Sequence, residues 1–323
     1  MEKSDRIYIA GHGGLVGSAL RRELERRGYA NLLLRRHAEL ELRDQAAVRR
    51  FFEAERPDYV FLAAAKVGGI LANDTYPADF LRDNLEIQTH IIDSAYRSGV
   101  KRLLFLGSTC IYPKNCPQPI KEEYLLTGPL EPTNRAYAVA KIAGIEMCWG
   151  YNRQYGTRYL AAMPTNLYGP GDNFDPVTSH LLPALIRKAM EAKAAGERVM
   201  TVWGTGTPRR ELLYSEDLAA ACVHLMNLPE LDFEKLLRKE DPPLINIGTG
   251  EDMSIREIAE LVCRVVGFEG ELRFDTNRPD GTPRKLCDVS RVTSLGWRAK
   301  TSLEEGIRLT IEAEKRLLAD TSA

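Results

Sequence analysis

The chain has 323 residues, 44% of them hydrophobic, and its 44 lysines and arginines against 45 aspartates and glutamates leave a formal net charge of -1. That length and apolar content suit one large domain or two smaller ones, each with a sizeable core, and exclude a disordered chain. The balanced charge excludes a generally basic surface, so no nucleic-acid or membrane partner is expected and any phosphate-binding charge is local.

The opening segment MEKSDRIYIAG runs into an apolar stretch too short for a secretory signal, and no apolar run reaches the length of a membrane span. The six cysteines form no CxxC pair. That usage fits reduced thiols in a soluble cytoplasmic protein with no structural metal.

Along the chain, short apolar runs alternate with helical patterns, the rhythm of a parallel sheet covered on both faces. RIYIA (6–10) predicts the first strand. Directly after it stands Gly11-His12-Gly13-Gly14-Leu15-Val16-Gly17, with a helix predicted over 15–27. Glycines at 11, 14 and 17 permit a tight turn, close backbone approach to a pyrophosphate and close helix packing, with the helix N-terminus facing the anion. Isolated glycines more often serve ordinary turns, and it is the placement between strand and helix that points to a dinucleotide. The second strand, NLLL (31–34), exits into Arg35-Arg36-His37. Cations there, in place of the carboxylate that binds the ribose of NAD, favour the extra phosphate of NADP, although a solvated basic turn reads the same way. Asp44 is placed to cap a helix over 45–55.

Further strands are predicted at YVFLAA (59–64), RLLFLG (102–107) and YLAAMP (159–164). The fourth ends in Gly107-Ser108-Thr109-Cys110, and Tyr137-Ala-Val-Ala-Lys141 follows on a helical pattern that places the tyrosine and lysine on one face. An ammonium beside a phenol is expected to lower the phenol's pKa, so that Tyr137 exchanges a proton with a substrate oxygen that Ser108 also binds. Alone, such a pair is more often an exposed helix pair. PTNLYGPGDNFDP (164–176) is read as a functional loop leaving the sheet, a helix is expected from about 181, and LINIG (244–248) reads as a returning strand. Ser254 with Glu257 forms a capping box for a helix to about 266.

The expected fold is α/β: a Rossmann-type, doubly wound parallel sheet with a smaller C-terminal substrate-binding domain. Residues 1–165, with return segments near 211–250, make the NADP-binding domain. Residues 166–323, mainly 166–210 and 251–323, make the other.

The segments GHGGLVGSAL, AAAKVGGILAN, GSTCIYPK, YAVAKIAG, MPTNLYGPGDNF, SHLLPALIRK, WGTGTPRRELLY and PDGTPRKL resemble the extended short-chain dehydrogenase/reductase superfamily, and within it the enzymes that epimerise and reduce a GDP-bound 4-keto-6-deoxymannose. The resemblance implies epimerisation at the third and fifth sugar carbons, then reduction of the ketone by NADPH. Both carbons flank a carbonyl that acidifies their hydrogens, and inversion needs a base on one face and an acid on the other. Cys110 and His180 match the family's base and acid, beside Ser108, Tyr137 and Lys141 as the hydride-transfer set. Alone, Cys110 is more often a buried apolar residue and His180 a loop histidine.

By the same resemblance Leu106, Gly107, Ser108, Thr109, Lys141, Pro164, Thr165, Asn166, Leu167 and His180 lie along the cofactor, together with the glycine loop and Arg36 and His37. Arg187, Trp203, Arg209, Asp280 and Lys285 match substrate contacts. Two departures stand out: Gly13 replaces an arginine of some relatives, and the arginine at the second-strand exit is shifted by one against Arg36-His37. The helical patterns over 84–97 and 136–155 match those that pair in homodimers of the superfamily. A sugar-nucleotide dehydratase, a simple 4-epimerase and a non-catalytic NADP-binding protein are the competing readings. The dehydratases carry an Asp-Glu pair where this chain has Thr109-Cys110.

Overall fold

The computed structural model describes residues 1–176, 178–278 and 280–321. Pro279, the first residue of PDGTPRKL, and the last two residues of the expected second domain lie outside them. Six parallel strands form the central sheet: β1 (Ile7–Ala10), β2 (Leu32–Leu33), β3 (Tyr59–Leu62), β4 (Arg102–Leu106), β5 (Tyr159–Pro164) and a last strand, Leu244–Ile247. From one edge to the other the order is last strand, β5, β4, β3, β1, β2. The chain therefore moves outward from β1 to β2, returns across β1 to β3, and continues in the other direction. Ligands of open α/β sheets bind in the crevice at such a reversal, beyond the carboxyl ends of the strands.

Every residue of β1, β3, β4, β5 and the last strand is buried, which explains their unbroken apolar runs. Alternate residues feed opposite layers. Ile7, Ile9, Phe61, Leu104 and Leu160 pack in one core with the helices Leu15–Arg26 and Ser215–Met226. Tyr8, Val60, Leu62, Leu103 and Phe105 pack in another with Gln45–Glu55, Pro77–Arg97 and Arg135–Tyr155. This is the doubly wound α/β arrangement.

A third core lies apart from the sheet, built by the helices Leu181–Ala194, Ile255–Val266 and Leu303–Thr321 with the parallel pair Val199–Trp203 and Glu271–Asp275. The capping box closes as its spacing demands: Ser254 Oγ accepts from Glu257 N at 3.2 Å, and Glu257 Oε2 accepts from Ser254 N at 2.7 Å. Asp44 Oδ1 accepts from Ala47 N at 3.0 Å.

The stretch read as a loop over 164–176 is corrected at its start. Asn166–Tyr168 is a short strand, paired in parallel with Leu212–Tyr214. Its partner is more than forty residues away, so local pattern could not reveal it. β2 is likewise shorter than the predicted NLLL, because only Leu32 and Leu33 pair with β1 before Arg35 turns toward Glu55.

Candidate active site

At the reversal in strand order, Gly11 adopts φ +84° and a Cβ there would lie 2.8 Å from Ala64 Cα, in the segment after β3. A Cβ on Gly17 would lie 2.0 Å from the Gly11 carbonyl oxygen. Backbone is packed on backbone, so neither position tolerates a side chain. Gly14 caps the helix Leu15–Arg26 without a side-chain hydrogen bond, and its first turn carries no acidic residue. The leading N–H groups are thus left for an anion, as a bound pyrophosphate requires. Gly13 faces open space.

The basic exit of β2 divides its work. Arg35 is taken up by Glu55 at 2.6 Å and lies over Phe51, and the exposed His37 pairs with Glu41 at 3.0 Å. Exposed Arg36 has no carboxylate paired with its guanidinium among the described residues, and with Arg21 it helps hold the His12 ring below its ordinary pKa, after the larger effect of burial. Of the three side chains, that of Arg36 is the one left without a carboxylate partner among the described residues.

β4 delivers Leu106, Gly107, Ser108, Thr109 and Cys110 to its carboxyl end. A Cβ on Gly107 would sit 2.2 Å from Met163 Cε, so glycine lets β4 and β5 close up there. The helix Arg135–Tyr155 brings Tyr137 and Lys141 alongside, one turn apart. Lys141, 3% exposed, donates from Nζ to the Leu106 carbonyl at 2.8 Å and stands 5.7 Å from the Tyr137 ring centroid. Burial pulls its pKa down to about 8. The same burial pushes the Tyr137 phenol up, with the nearby Cys110 adding to the effect. This corrects the expected lowering: the ammonium bonds to a carbonyl and leaves the phenol protonated. A protonated phenol is the form that delivers a proton to a ketone oxygen undergoing reduction.

Cys110 is buried beside this pair, and its backbone N donates to Ser108 Oγ at 3.4 Å. Burial raises the thiol's pKa, while Lys285, Ser108 and Lys141 pull it the other way. Lys285 lines the same small cavity as Thr109 and Cys110, although it is distant in sequence. His180 occupies the N-cap of Leu181–Ala194. Its side chain meets solvent, yet the crowding of the cleft lowers its pKa. The resting pair is therefore thiol and neutral imidazole. No hydrogen bond connects His180 to Cys110 among the described residues.

Beyond β5, Thr165 and Asn166 both donate to the Glu211 carbonyl, from Oγ1 at 3.3 Å and Nδ2 at 3.0 Å, and Leu167 packs on the core beside the first helix. In the second lobe Trp203 is 60% exposed, with Lys188 Nζ 5.2 Å and the Arg278 guanidinium 4.9 Å from its ring centroid. Asp280 accepts from Thr205 N at 2.7 Å and Oγ1 at 2.9 Å, closing the turn after Trp203. Arg187 reaches the Phe174 carbonyl at 3.4 Å and Glu191 at 3.4 Å.

Arg209 is the one expected contact that the structure draws elsewhere. Its guanidinium is bonded to the Asp252 carboxylate and carbonyl, each at 2.8 Å, and lies 3.5 Å from Glu257. Arg210, on the opposite face of the strand Arg209–Arg210, is half-buried toward Asp280, and burial lowers its pKa. Successive strand residues point to opposite faces, so two adjacent arginines cannot share one cleft. That alternation was the available signal for Arg210. Lys188, beside Trp203, left no comparable signal. Among the described residues no cluster of His, Cys, Asp and Glu could hold a metal ion, and no helix is long and apolar enough to cross a membrane.

The model of the NAD dependent epimerase/dehydratase family matches residues 7–248. GDP-L-fucose synthase 1 of Arabidopsis thaliana is 56% identical over 311 residues, covering 96% of this chain and 93% of that one. GDP-L-fucose synthase of Escherichia coli (strain K12) is 55% identical, covering 95% of each. Among solved structures, a GDP-mannoheptose C4 reductase of Campylobacter jejuni with NADP bound superimposes with a TM-score of 0.87 at 41% identity, over 98% of this chain and 99% of that one.

Proposed function

The chain belongs to the NAD dependent epimerase/dehydratase family, and from that premise we propose that it is an NADP-dependent epimerase-reductase that carries out the GDP-L-fucose synthase reaction. It epimerises GDP-4-keto-6-deoxy-D-mannose at the third and fifth sugar carbons and then reduces the 4-keto group to give GDP-L-fucose. The observation that carries this reading is the convergence of Cys110, Tyr137, Lys141 and Lys285 on one spot, in a chain more than half identical to GDP-L-fucose synthases along nearly its whole length.

Gly11, Gly14 and Gly17 would hold the pyrophosphate of NADP(H) against the first helix, with His12, Gly13, Leu15 and Val16 completing the loop; Arg36 would face its ribose phosphate, with His37, paired to Glu41, beside it. Leu106 to Thr109 and Pro164 to Leu167 would lie along the cofactor, the second flanking the nicotinamide, which supplies hydride when bound. Passage of the Cys110 proton through solvent to the neutral His180 imidazole gives the reactive thiolate–imidazolium form of the pair. In that form Cys110 takes a proton from a carbon next to the ketone, and the charge delocalises into an enolate. His180, as imidazolium, returns a proton on the other face. Reduction ends when Tyr137 gives its phenolic proton to the O4 oxygen, which Ser108 also binds, while Lys141 fixes the helix to β4 and supplies positive charge. Arg187, Trp203, Asp280 and Lys285 grip the sugar nucleotide, with Arg210 rather than Arg209 facing its diphosphate.

We place residues 1–165 and the returns near 211–250 in the NADP-binding domain, and 166–210 with 251–323 in the substrate domain. Val292 and Trp297 go with the first, since both are buried in its core. Six free cysteines support a cytoplasmic setting. A homodimer through the helices Pro77–Arg97 and Arg135–Tyr155 is supported by their adjacent faces and by the stacked Tyr96 and Tyr155, the latter 46% exposed.

One assay tests the reaction: the GDP-keto sugar and NADPH in deuterated water, followed by mass spectrometry and by NADPH absorbance. Two ring deuterons per molecule reduced are expected. NADPH oxidation without ring exchange would leave a plain 4-reductase, and neither would refute the reading altogether.

A further inference from the structure

Glu211 is a fully buried carboxylate with no cation paired to it among the described residues. Burial raises its pKa, against hydrogen bonds from Cys287, Gly250 and Thr249 that act to lower it. Its oxygens are used on backbone, hydroxyl and thiol donors: Oε2 accepts from Cys287 N at 2.8 Å, Oε1 accepts from Gly250 N at 2.8 Å and Thr249 Oγ1 at 3.4 Å, and the Cys287 thiol hydrogen-bonds the same carboxylate. A Cβ on Gly248 would fall 2.2 Å from Oε1, so the loop after the last sheet strand is pressed against this group. The Glu211 backbone is engaged as well. Its N–H donates to the Lys285 carbonyl at 3.2 Å, and its carbonyl accepts from Thr165 and Asn166.

One residue thus ties together three segments that meet over the carboxyl ends of the sheet strands. These are the segment after β5, the loop after the last strand, and the strand Arg284–Lys285 with Cys287 beyond it. A buried carboxylate without a counter-ion is costly, and its retention calls for a task. Lys285, in the third segment, lines the same small cavity as Cys110 and its charge acts on the thiol. We propose that Glu211 is a positioning residue for the epimerisation half of the reaction: by clamping Cys287 and Gly250 it fixes Lys285 over the Cys110 thiol while its main chain keeps Asn166 on the nicotinamide side. Lys285, Lys141, Tyr137 and Ser108 abut or act on Cys110, and Tyr112, Lys114, Glu131 and Arg284 line the same small cavity; of these, Lys285 and Arg284 belong to the segment that Glu211 holds. The loop at Gln118 to Ile120 also holds this segment, through Leu286 N to Gln118 Oε1 at 2.8 Å and Ile120 N to Leu286 O at 2.7 Å. Loss of the clamp therefore loosens Lys285 without detaching it.

This inference rests on the epimerase-reductase reading, and its test separates the two. Glu211→Gln keeps the shape but turns a donor toward the Cys287 or Gly250 N–H. Ring-proton exchange into deuterated water should fall roughly 10- to 100-fold, the scale of a slightly misplaced catalytic group. NADPH oxidation by the already epimerised keto sugar should stay within about threefold. The Cys110 thiolate, followed by difference absorbance near 240 nm against Cys110→Ser, should form at higher pH in Glu211→Gln, and Lys285→Met should give the same displacement with no further change in the double variant. Equal loss of exchange and reduction, or an unmoved thiol titration, would overturn the proposal. The titration needs no substrate, so it reports on Glu211 even if the wild-type chain exchanges no ring protons.

Discussion

Lys141→Met isolates what a buried catalytic cation costs the fold. In the cofactor-free protein burial takes Lys141 from 10.5 to about 8, a displacement worth roughly 3 kcal/mol at 1.36 kcal/mol per unit. Below pH 8 the folded chain must hold the ammonium in its dry pocket and carries this penalty in full. Between pH 8 and 10.5 the unfolded lysine binds more protons than the folded one, so wild-type stability rises as that interval is crossed. Methionine does not titrate, fills a similar volume, and leaves the Leu106 carbonyl without its 2.8 Å partner, at about 1–3 kcal/mol. The variant should therefore be as stable as wild type at pH 7, or more so by up to about 2 kcal/mol. It should lose that standing by roughly 3 kcal/mol at pH 10.5. Urea unfolding followed by circular dichroism at several pH values measures the difference. Both proteins should carry Cys110→Ser, since the thiol faces Lys141 and its own raised pKa would add a second pH dependence. A stability difference flat from pH 7 to 10.5 would refute the reasoning, and the folded variant should still be unable to reduce the keto sugar.

Tyr137→Phe should lower the rate of reduction about 10²- to 10⁴-fold with NADPH affinity unchanged, as read by fluorescence titration; collapse of cofactor binding would mean that the tyrosine packs and does not donate. Cys110→Ser should suppress ring-proton exchange far more than reduction of an epimerised substrate. In wild type that exchange should be bell-shaped in pH, because the lowered His180 and the raised Cys110 share one proton between their two pKa values; a curve rising steadily to pH 10 would exclude the pairing. Arg210→Met should raise KM for the sugar nucleotide, with little change in Tm, whereas Arg209→Met, which strips Asp252 of a partner, should lower Tm and spare KM. Asp172 has a buried Oδ2 without a partner among the described residues, and burial raises its carboxyl to about 6. It therefore withdraws stability as pH rises from about 4 to 6, and Asp172→Asn should add up to about 3 kcal/mol at pH 7, as melting curves across that range would register.

The parts of the site that one stretch of backbone builds were legible in the residues themselves. The glycine spacing encodes the helix-capping turn, because strand, turn and helix are consecutive. Tyr137 and Lys141 are one helical turn apart, so their shared face follows from the pitch alone. Apolar runs without alternation announced strands covered on both sides.

What sequence could not decide depends on segments that meet only after folding. The strand Asn166–Tyr168 has its partner at Leu212–Tyr214, so its residues looked like loop. Whether the phenol of Tyr137 is lowered or raised turns on how deeply the helix buries it and on where the Lys141 ammonium finds an acceptor. Which of two adjacent arginines is left free of a carboxylate depends on Asp252 waiting on one side of the strand. Lys285 meets Cys110 from across the molecule, held there by Glu211, because charge acts through space and takes no account of order along the chain.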